Sequence, residues 1–547
     1  MDMLLKNVKV MRPSTTKIQK RNGVAYVYQV TGKHYKKDKK YTVENRKLIG
    51  KMIDEQWMIP NEYFSQYYPD VCIEQDMPEF SDTLKIGAFM VIQKIFQDLQ
   101  IEEMLTSVFG ELGIFVENIV SYMITNESCT FQYYPNFMRN HPVLGGRIQD
   151  DTQISRMLKG ITDREIEVFM RAWNRLNKKN DCVYIGYDST NFNTHAQGIE
   201  LADYGHPKVD EGLPQYNLAY AVNQEDSTPL FYELYDGNVI DNTELEFMIE
   251  EANEYGYEHM GFLMDRGYIS EKNIKLLRKR GYEYILMMKQ NQRICQEIIE
   301  EYGLAVQSLE GYYIDEHEVY GTSVEKELYG EQVHIHIYYD DVRASEEKRA
   351  MMSRYSAWEK ELDKKVAKQI ATEGELKKYQ KAFKLRYDNN GYFSDYERNS
   401  RYIRKELMSL RFFFIITSED MDAIKALDIY RGRDNIEKMF RSLKSGIDFN
   451  KARVHTTETL KAKVFVTFIA MIIRNELFQK TKEIQKRNRK SYTIPGILSE
   501  LENIECTRNN VGKYRRKYAL TAKQKQILKQ FGIDEKYVDG SINGYGY

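Results

Sequence analysis

From Cys182 to Met288 the chain alternates short apolar runs with two amphipathic stretches, an order that narrows its possible folds more than any other part of the sequence. Cys182-Val183-Tyr184-Ile185-Gly186-Tyr187-Asp188 reads as a buried strand ending in an acid. Tyr216 to Val222 and Leu230 to Tyr235 read as two more strands. Asn242 or Thr243 then caps a helix running towards Tyr255. Gly261-Phe262-Leu263-Met264-Asp265 is a fourth strand, again ending in an acid. Ser270 caps a helix to Arg280, and Tyr284 to Met288 is a fifth strand. Runs of this kind, nearly continuous in apolar residues, belong to strands covered on both faces.

The order β-β-β-α-β-α-β matches an α/β, ribonuclease H-like core in which the first and fourth strands are neighbours. Their terminal acids, Asp188 and Asp265, then come together. Residues 291–410 interrupt this core: Tyr312 to Tyr339 alternates like strands, and a long charged helical stretch runs from Asp341 to Tyr379. The core resumes at Phe412 to Thr417, with Ser418 as the expected cap of the next helix. The expected layout is a basic β-rich region over 1–80, an α-helical, DNA-binding module over 81–180 and the first part of the core over 181–290. An insertion subdomain over 291–410, the second part of the core over 411–480 and a basic helical tail over 481–547 complete it.

In the second part of the core, Tyr430 to Lys444 reads as one helix. At about 100° per residue, Tyr430, Arg433, Glu437, Arg441 and Lys444 share an arc of roughly 80°. Ile436, Met439 and Leu443 form the adjoining core stripe. Such a row is either a functional flank or a surface face with incidental i,i+4 pairs. Asp188 and Asp265 bear on that choice. Three carboxylates brought together raise one another's pKa unless cations lie between them. Two Mg²⁺ ions about 3.5–4 Å apart would neutralise them and run an in-line phosphoryl displacement. Hard oxygen donors favour Mg²⁺, with Mn²⁺ possible, over Zn²⁺.

Charge segregation suits a polyanionic partner. The formal net charge is only −2 over 547 residues, yet residues 1–50 hold 13 Lys/Arg against 3 Asp/Glu. Residues 471–530 hold 15 against 5, and no Lys or Arg lies between Lys208 and Arg266. Basic ends around an acidic middle suggest a polyanion held by the flanks, although solvated termini give the same pattern. The clusters Lys33 to Lys40, Lys486 to Lys490 and Lys513 to Lys517 are candidate backbone contacts. Length implies two to four domains. The five cysteines form no CxxC pair, which suggests neither a disulfide framework nor a zinc site and fits a cytoplasmic protein. The apolar run Val464 to Ile473 is too short to span a membrane, and Met1 to Val10 lacks a signal-peptide core. His195 and His206 beside Asp203 read as loop histidines before they read as ligands. His334 and His336, on one face of a strand, read as structural or exposed, and Trp358 as a packing residue with base stacking as its alternative.

Tyr430, Arg433, Glu437 and Lys444 fit, without a gap, the Tyr-x2-Arg-x3-Glu-x6-Lys signature of one group of bacterial insertion-sequence transposases of the Asp-Asp-Glu class. Tyr187-Asp188-Ser189-Thr190 and Met264-Asp265-Arg266-Gly267-Tyr268 resemble that group's two aspartate motifs. The Gly237-Asn238…Asp241 turn also resembles the family. The resemblance covers 181–290 and 406–475. It implies a DNA transposase that cleaves at its element's terminal inverted repeats and joins the 3′ ends to target DNA. Asp188, Asp265 and Glu437 would hold the metal ions. Tyr430, Arg433 and Lys444 would grip phosphates, with Arg441 and Arg266 as further candidate DNA contacts. Double-stranded DNA is the expected partner, and a homodimer would pair the two ends. A nuclease or resolvase of the same fold, and a catalytically idle DNA-binding descendant, are the alternatives.

Overall fold

A computed structural model describes residues 8–544 except 22, 37–40, 70, 72–73, 76–82, 146–150, 178–182, 206–211, 240, 258, 369–372, 489–491, 509–513 and 543. His206, Lys37 to Lys40, Arg489, Lys490 and Lys513 therefore lie outside the described residues. The chain forms two compact units, one from Met1–Phe169 with Ser442–Tyr547, the other from Met170–Arg441.

The first unit opens with an antiparallel sheet. Lys17–Arg21, Val24–Lys36, Tyr41–Met52, Trp57–Pro60, Val8–Met11 and Glu74–Gln75 lie side by side in that order. Alternation puts Val10, Val27, Ile49 and Met58 into one small core, which Phe64 of the short helix Phe64–Tyr67 joins. The rest of this unit is helical apart from a three-stranded antiparallel sheet of Thr83–Lys85, Glu505–Arg508 and Tyr514–Arg516. The run Val464 to Ile473 is buried along its whole length within the helix Thr457–Arg487. A helix apolar all round needs neighbours on every side. Its start is fixed by a capping box between Thr456 and Thr459. Gly87 opens the helix Gly87–Asp98 where a Cβ would meet the Leu501 carbonyl at 2.2 Å, so only glycine allows that approach. Among the described residues no helix is long and apolar enough to cross a membrane.

The second unit is built on a sheet that has nine strands among the described residues. The five core strands are Val183–Asn193, Gln215–Asn223, Pro229–Asp236, Met260–Met264 and Glu283–Met287. They lie in the order third, second, first, fourth, fifth. The first three are antiparallel neighbours, and the fourth runs parallel to both the first and the fifth. The second strand is buried at every position, which is why its sequence shows no polar alternation. Ser270 caps Glu271–Arg280 by accepting from the Asn273 amide, as its position predicts.

Beyond the fifth strand the sheet continues with Phe412–Thr417, then Glu331–Tyr339, Val319–Leu328 and Tyr313–Ile314, all antiparallel. The hairpin within the interrupting segment is thus part of the main sheet. The remainder, from Asp341–Lys368 to Ser400–Met408, has its own core of Met351, Tyr355, Leu362, Tyr379, Phe383 and Phe393. Trp358 packs against that core, with the Tyr355 and Tyr379 rings 5.8 and 5.6 Å away, which fits packing and not base stacking. His336 is buried between the Ser323 and Thr417 hydroxyls. Burial and then neighbouring His334 lower its pKa to about 4, so it is a neutral structural histidine.

Three local expectations are corrected. The helix expected to be capped by Asn242 or Thr243 already begins at Asp241, as Asp241–Glu254. Ser418 is not a helix cap: its hydroxyl accepts from the Tyr284 amide at 3.0 Å, and Asp422 caps Ala423–Arg431 instead. The Tyr430–Lys444 stretch is not one helix. It divides into Ala423–Arg431, Asp434–Arg441 and a π-helical turn, Ser442–Gly446. The first break falls at Gly432, where a Cβ would sit 1.6 Å from the Gln224 side-chain nitrogen. Gln224, one residue past the second core strand, fills the space that a side chain at 432 would need.

Candidate active site

Asp188, Asp265, Tyr430, Arg433 and Glu437 come together in the second unit. The parallel ladder between first and fourth strands ends at Gly186 and Leu263. Asp188 and Asp265 follow just beyond it. The first strand itself does not end at Asp188, as its apolar run suggests, but continues to Asn193 because the second strand keeps pairing with it. Each aspartate turns one oxygen to the backbone: Asp188 accepts from the Ser189 amide at 2.9 Å, and Asp265 from the Arg266 amide at 2.7 Å.

The other oxygens face one cation. The Arg433 guanidinium lies 3.5 Å from Asp188, 3.4 Å from Asp265 and 3.0 Å from Glu437. Glu437 reaches it because Asp434–Arg441 buries Ile436, Met439 and Phe440, with the Phe440 ring edge-on to Tyr220 at 5.9 Å. The stripe expected to face the core does so at Ile436 and Met439. Tyr430 is anchored differently: the helix before the break packs Ala426, Leu427 and Tyr430 into the cluster holding Leu263, Ile285, Tyr338 and Ile415.

Electrostatics explain why Arg433 takes this place. Burial works against its charge, but Tyr430, Asp265, Asp188 and Glu437 outweigh that and raise its pKa. Its Nε is buried without a partner, as is the Tyr430 hydroxyl. Burial, only partly offset by Arg433, pushes the Tyr430 phenol far above its ordinary range. The site therefore holds a buried N–H and a buried O–H on two neighbouring side chains, with only each other close by. Such buried donors cost on the order of 1–3 kcal/mol each and suit an incoming anion.

Three carboxylates from two strand ends and one helix are a suitable donor set for a hard divalent cation. In this arrangement the guanidinium separates them, and among the described residues no three acidic, histidine or cysteine groups stand close enough to hold a metal.

The remaining candidates are not among the side chains that meet Arg433. Arg266 follows Asp265 with an exposed side chain, and Arg441 is exposed at the end of the Glu437 helix. Lys444 follows in the π-helical turn, beyond the boundary of this unit at Arg441. His195 is exposed, and Asp203 accepts from the Tyr204 amide and the Asn238 side chain, which fits the loop reading. Gln224 and Gly432 belong to the site and were not foreseen. The one sequence signal for them is a glycine inside a helical pattern.

A family model, the transposase DDE domain, matches residues 185–473. The match takes in more than half of the chain, and the chain belongs to this family of transposases, which act on DNA and generally use divalent metal ions. No curated protein matches. Among solved structures, the piggyBac transposase synaptic complex with hairpin DNA is similar at 8% identity and a TM-score of 0.34. That similarity covers 84% of this chain and 76% of the other.

Proposed function

We propose that this chain is a bacterial insertion-sequence transposase that cleaves DNA at its element's terminal inverted repeats and joins the freed 3′ ends to target DNA. The carrying observation is the gathering of Asp188, Asp265 and Glu437 around a single guanidinium at the edge of the first–fourth strand ladder. The strand order third-second-first-fourth-fifth supports a ribonuclease H-like core, and the family match supports the reaction class.

In this reading Asp188, Asp265 and Glu437 hold the divalent ions, Mg²⁺ by choice of donors. When bound, the ions supply an activated attacking oxygen and charge stabilisation at the phosphorus. The protein's own share is positioning. Arg433 exchanges its carboxylate partners for phosphate oxygens, which its planar fork fits. Tyr430 contributes the buried hydroxyl beside it, and Lys444 a mobile charge farther along the chain. Arg441 and Arg266 supply exposed cations for the DNA flanks. A homodimer in the cytoplasm pairs the two element ends.

The test uses purified protein with duplexes carrying the element's end, and separately with a pre-cut end and a target plasmid. Wild type should cleave and join only with Mg²⁺ or Mn²⁺. Glu437→Gln should lose both reactions and keep end binding. Full Mg²⁺-dependent cleavage by Glu437→Gln overturns the site assignment. Cleavage by wild type without joining of the pre-cut end turns the protein into a nuclease of the same fold.

A further inference from the structure

We propose that the antiparallel ribbon of Lys17–Arg21, Val24–Lys36 and Tyr41–Met52 is a duplex-DNA-binding surface, with Lys17, Lys33 and Arg46 as its phosphate clamp. This rests on the transposase reading for the identity of the partner and goes beyond it in placing the grip outside the catalytic unit.

The ribbon is longer than its core requires. Val24–Lys36 has 13 residues, about 43 Å of strand at ~3.3 Å per residue. Its buried positions lie at one end, at Val27, Ile49 and Gly50. From Thr31 and Asn45 to the hairpin end the two strands are partly to fully exposed, with Tyr35 and Tyr41 each at least half exposed. A two-stranded ribbon without a core is marginal alone, and its width fits the major groove of B-form DNA.

The charges on it are arranged. Glu44 pairs across the ladder with Lys33, and its carboxylate gathers Lys17 at 2.7 Å, Arg46 at 2.9 Å and Lys33 at 3.5 Å. Three cations on one acid leave an excess of two positive charges on one face. Hydrogen bonds from Lys17, then Arg46, hold the Glu44 carboxyl at about 2, so it stays ionised and keeps the three heads together. Lysines on an edge strand also discourage sheet-to-sheet aggregation, which accounts for Lys17, Lys20 and Arg21. It does not account for Lys33 and Arg46 on the inner strands, turned onto the same carboxylate as Lys17.

The two helices Gly87–Asp98 and Glu111–Thr125 of this unit are less suited to a groove. Glu111–Thr125 buries eleven residues, Glu117, Asn118 and Ser121 among them, and Gly87–Asp98 buries eight. Neither leaves a free polar face for base edges.

Binding of wild type, Lys17→Gln/Lys33→Gln/Arg46→Gln and the control Lys272→Gln/Lys275→Gln/Arg293→Gln to a labelled duplex is measured by anisotropy across a salt series. The control removes three exposed charges from the other unit. The ribbon variant should bind about 10- to 100-fold more weakly, with the slope of log K against log salt reduced by about 2–3. Its thermal midpoint should stay at the wild-type value, because these side chains are exposed. Joining of a pre-cut end at saturating protein should also persist, which separates this proposal from the active-site reading. Unchanged affinity and slope, an equal effect in the control, or loss of binding to anionic vesicles but not to duplex overturns it. No duplex binding by wild type overturns it together with the transposase reading.

Discussion

Replacing Arg433 with Gln tests the electrostatics of the site directly. The guanidinium makes three contacts with carboxylates, at 3.0, 3.4 and 3.5 Å. At an effective dielectric of about 20, each would be worth roughly 5 kcal/mol before desolvation is subtracted. Removing one partner of a buried ion pair costs about 3–5 kcal/mol in practice. Here Arg433 is 14% exposed but Glu437 is 49% exposed, so water screens part of the effect. A loss of about 2 kcal/mol is expected, because three acids are left facing one another. The assay is urea unfolding followed by tryptophan fluorescence in a Trp57→Phe background. Trp173 and Trp358, both in the second unit, then report on it. In EDTA the variant should unfold at lower urea than its parent. Millimolar Mg²⁺ should recover most of the difference, since the carboxylates regain a cation, and should shift the parent less. Equal stability in EDTA, or a deficit that Mg²⁺ leaves untouched, refutes the idea that Arg433 neutralises these acids.

Gly432→Ala should destabilise the second unit by about 1–3 kcal/mol through overpacking against Gln224. Gln224→Ala should remove most of that penalty in a double-mutant cycle read by chemical denaturation. In the first unit, burial, reinforced by Glu102, raises the Glu117 pKa from 4.5 to about 8. The folded state thus prefers the protonated acid. Its contribution is complete below about 4.5 and is lost as pH rises through about 8, with a slope up to about 1.4 kcal/mol per pH unit. Glu117→Gln should flatten that fall, measured as denaturation midpoints between pH 5 and 9. Lys444→Ala should weaken binding of an element end and reduce the salt slope by about 0.9, the value for one lost phosphate contact.

The five core strands were legible because each is a short apolar run closed by a turn or an acid, and their order left few ways to arrange them. Asp188 was legible as the acid after an apolar run, but the end of its strand was not: continued pairing to Asn193 depends on the second strand, a partner that local pattern does not reveal. The helix break at Gly432 was hidden for a similar reason. The side chain that leaves no room for a Cβ at 432 belongs to Gln224, far upstream, and periodicity registers only near neighbours. Ser418 had the right chemistry for a cap and was drawn instead to the free amide of Tyr284. Arg433 shows the limit most clearly. Its spacing from Glu437 announced an i,i+4 pair, but only the folded sheet brings two aspartates to the same guanidinium. The hairpin Val319–Leu328 with Glu331–Tyr339 was legible as strands. Its membership of the main sheet was not, because that rests on pairing with Phe412–Thr417.

The sheet's order also governs when this site can exist during synthesis. Arg433 is 245 residues beyond Asp188, a delay of roughly 12–50 s at the ribosome's usual ~5–20 residues per second. Until Phe412–Thr417 emerges, the fifth strand has no partner on its outer side, and the third acid has not been made. A nascent chain therefore carries two aspartates, a bare apolar strand edge and no completed centre. On the proposed function, cutting competence arrives late and all at once, while the exposed edge makes prematurely ended chains prone to aggregate.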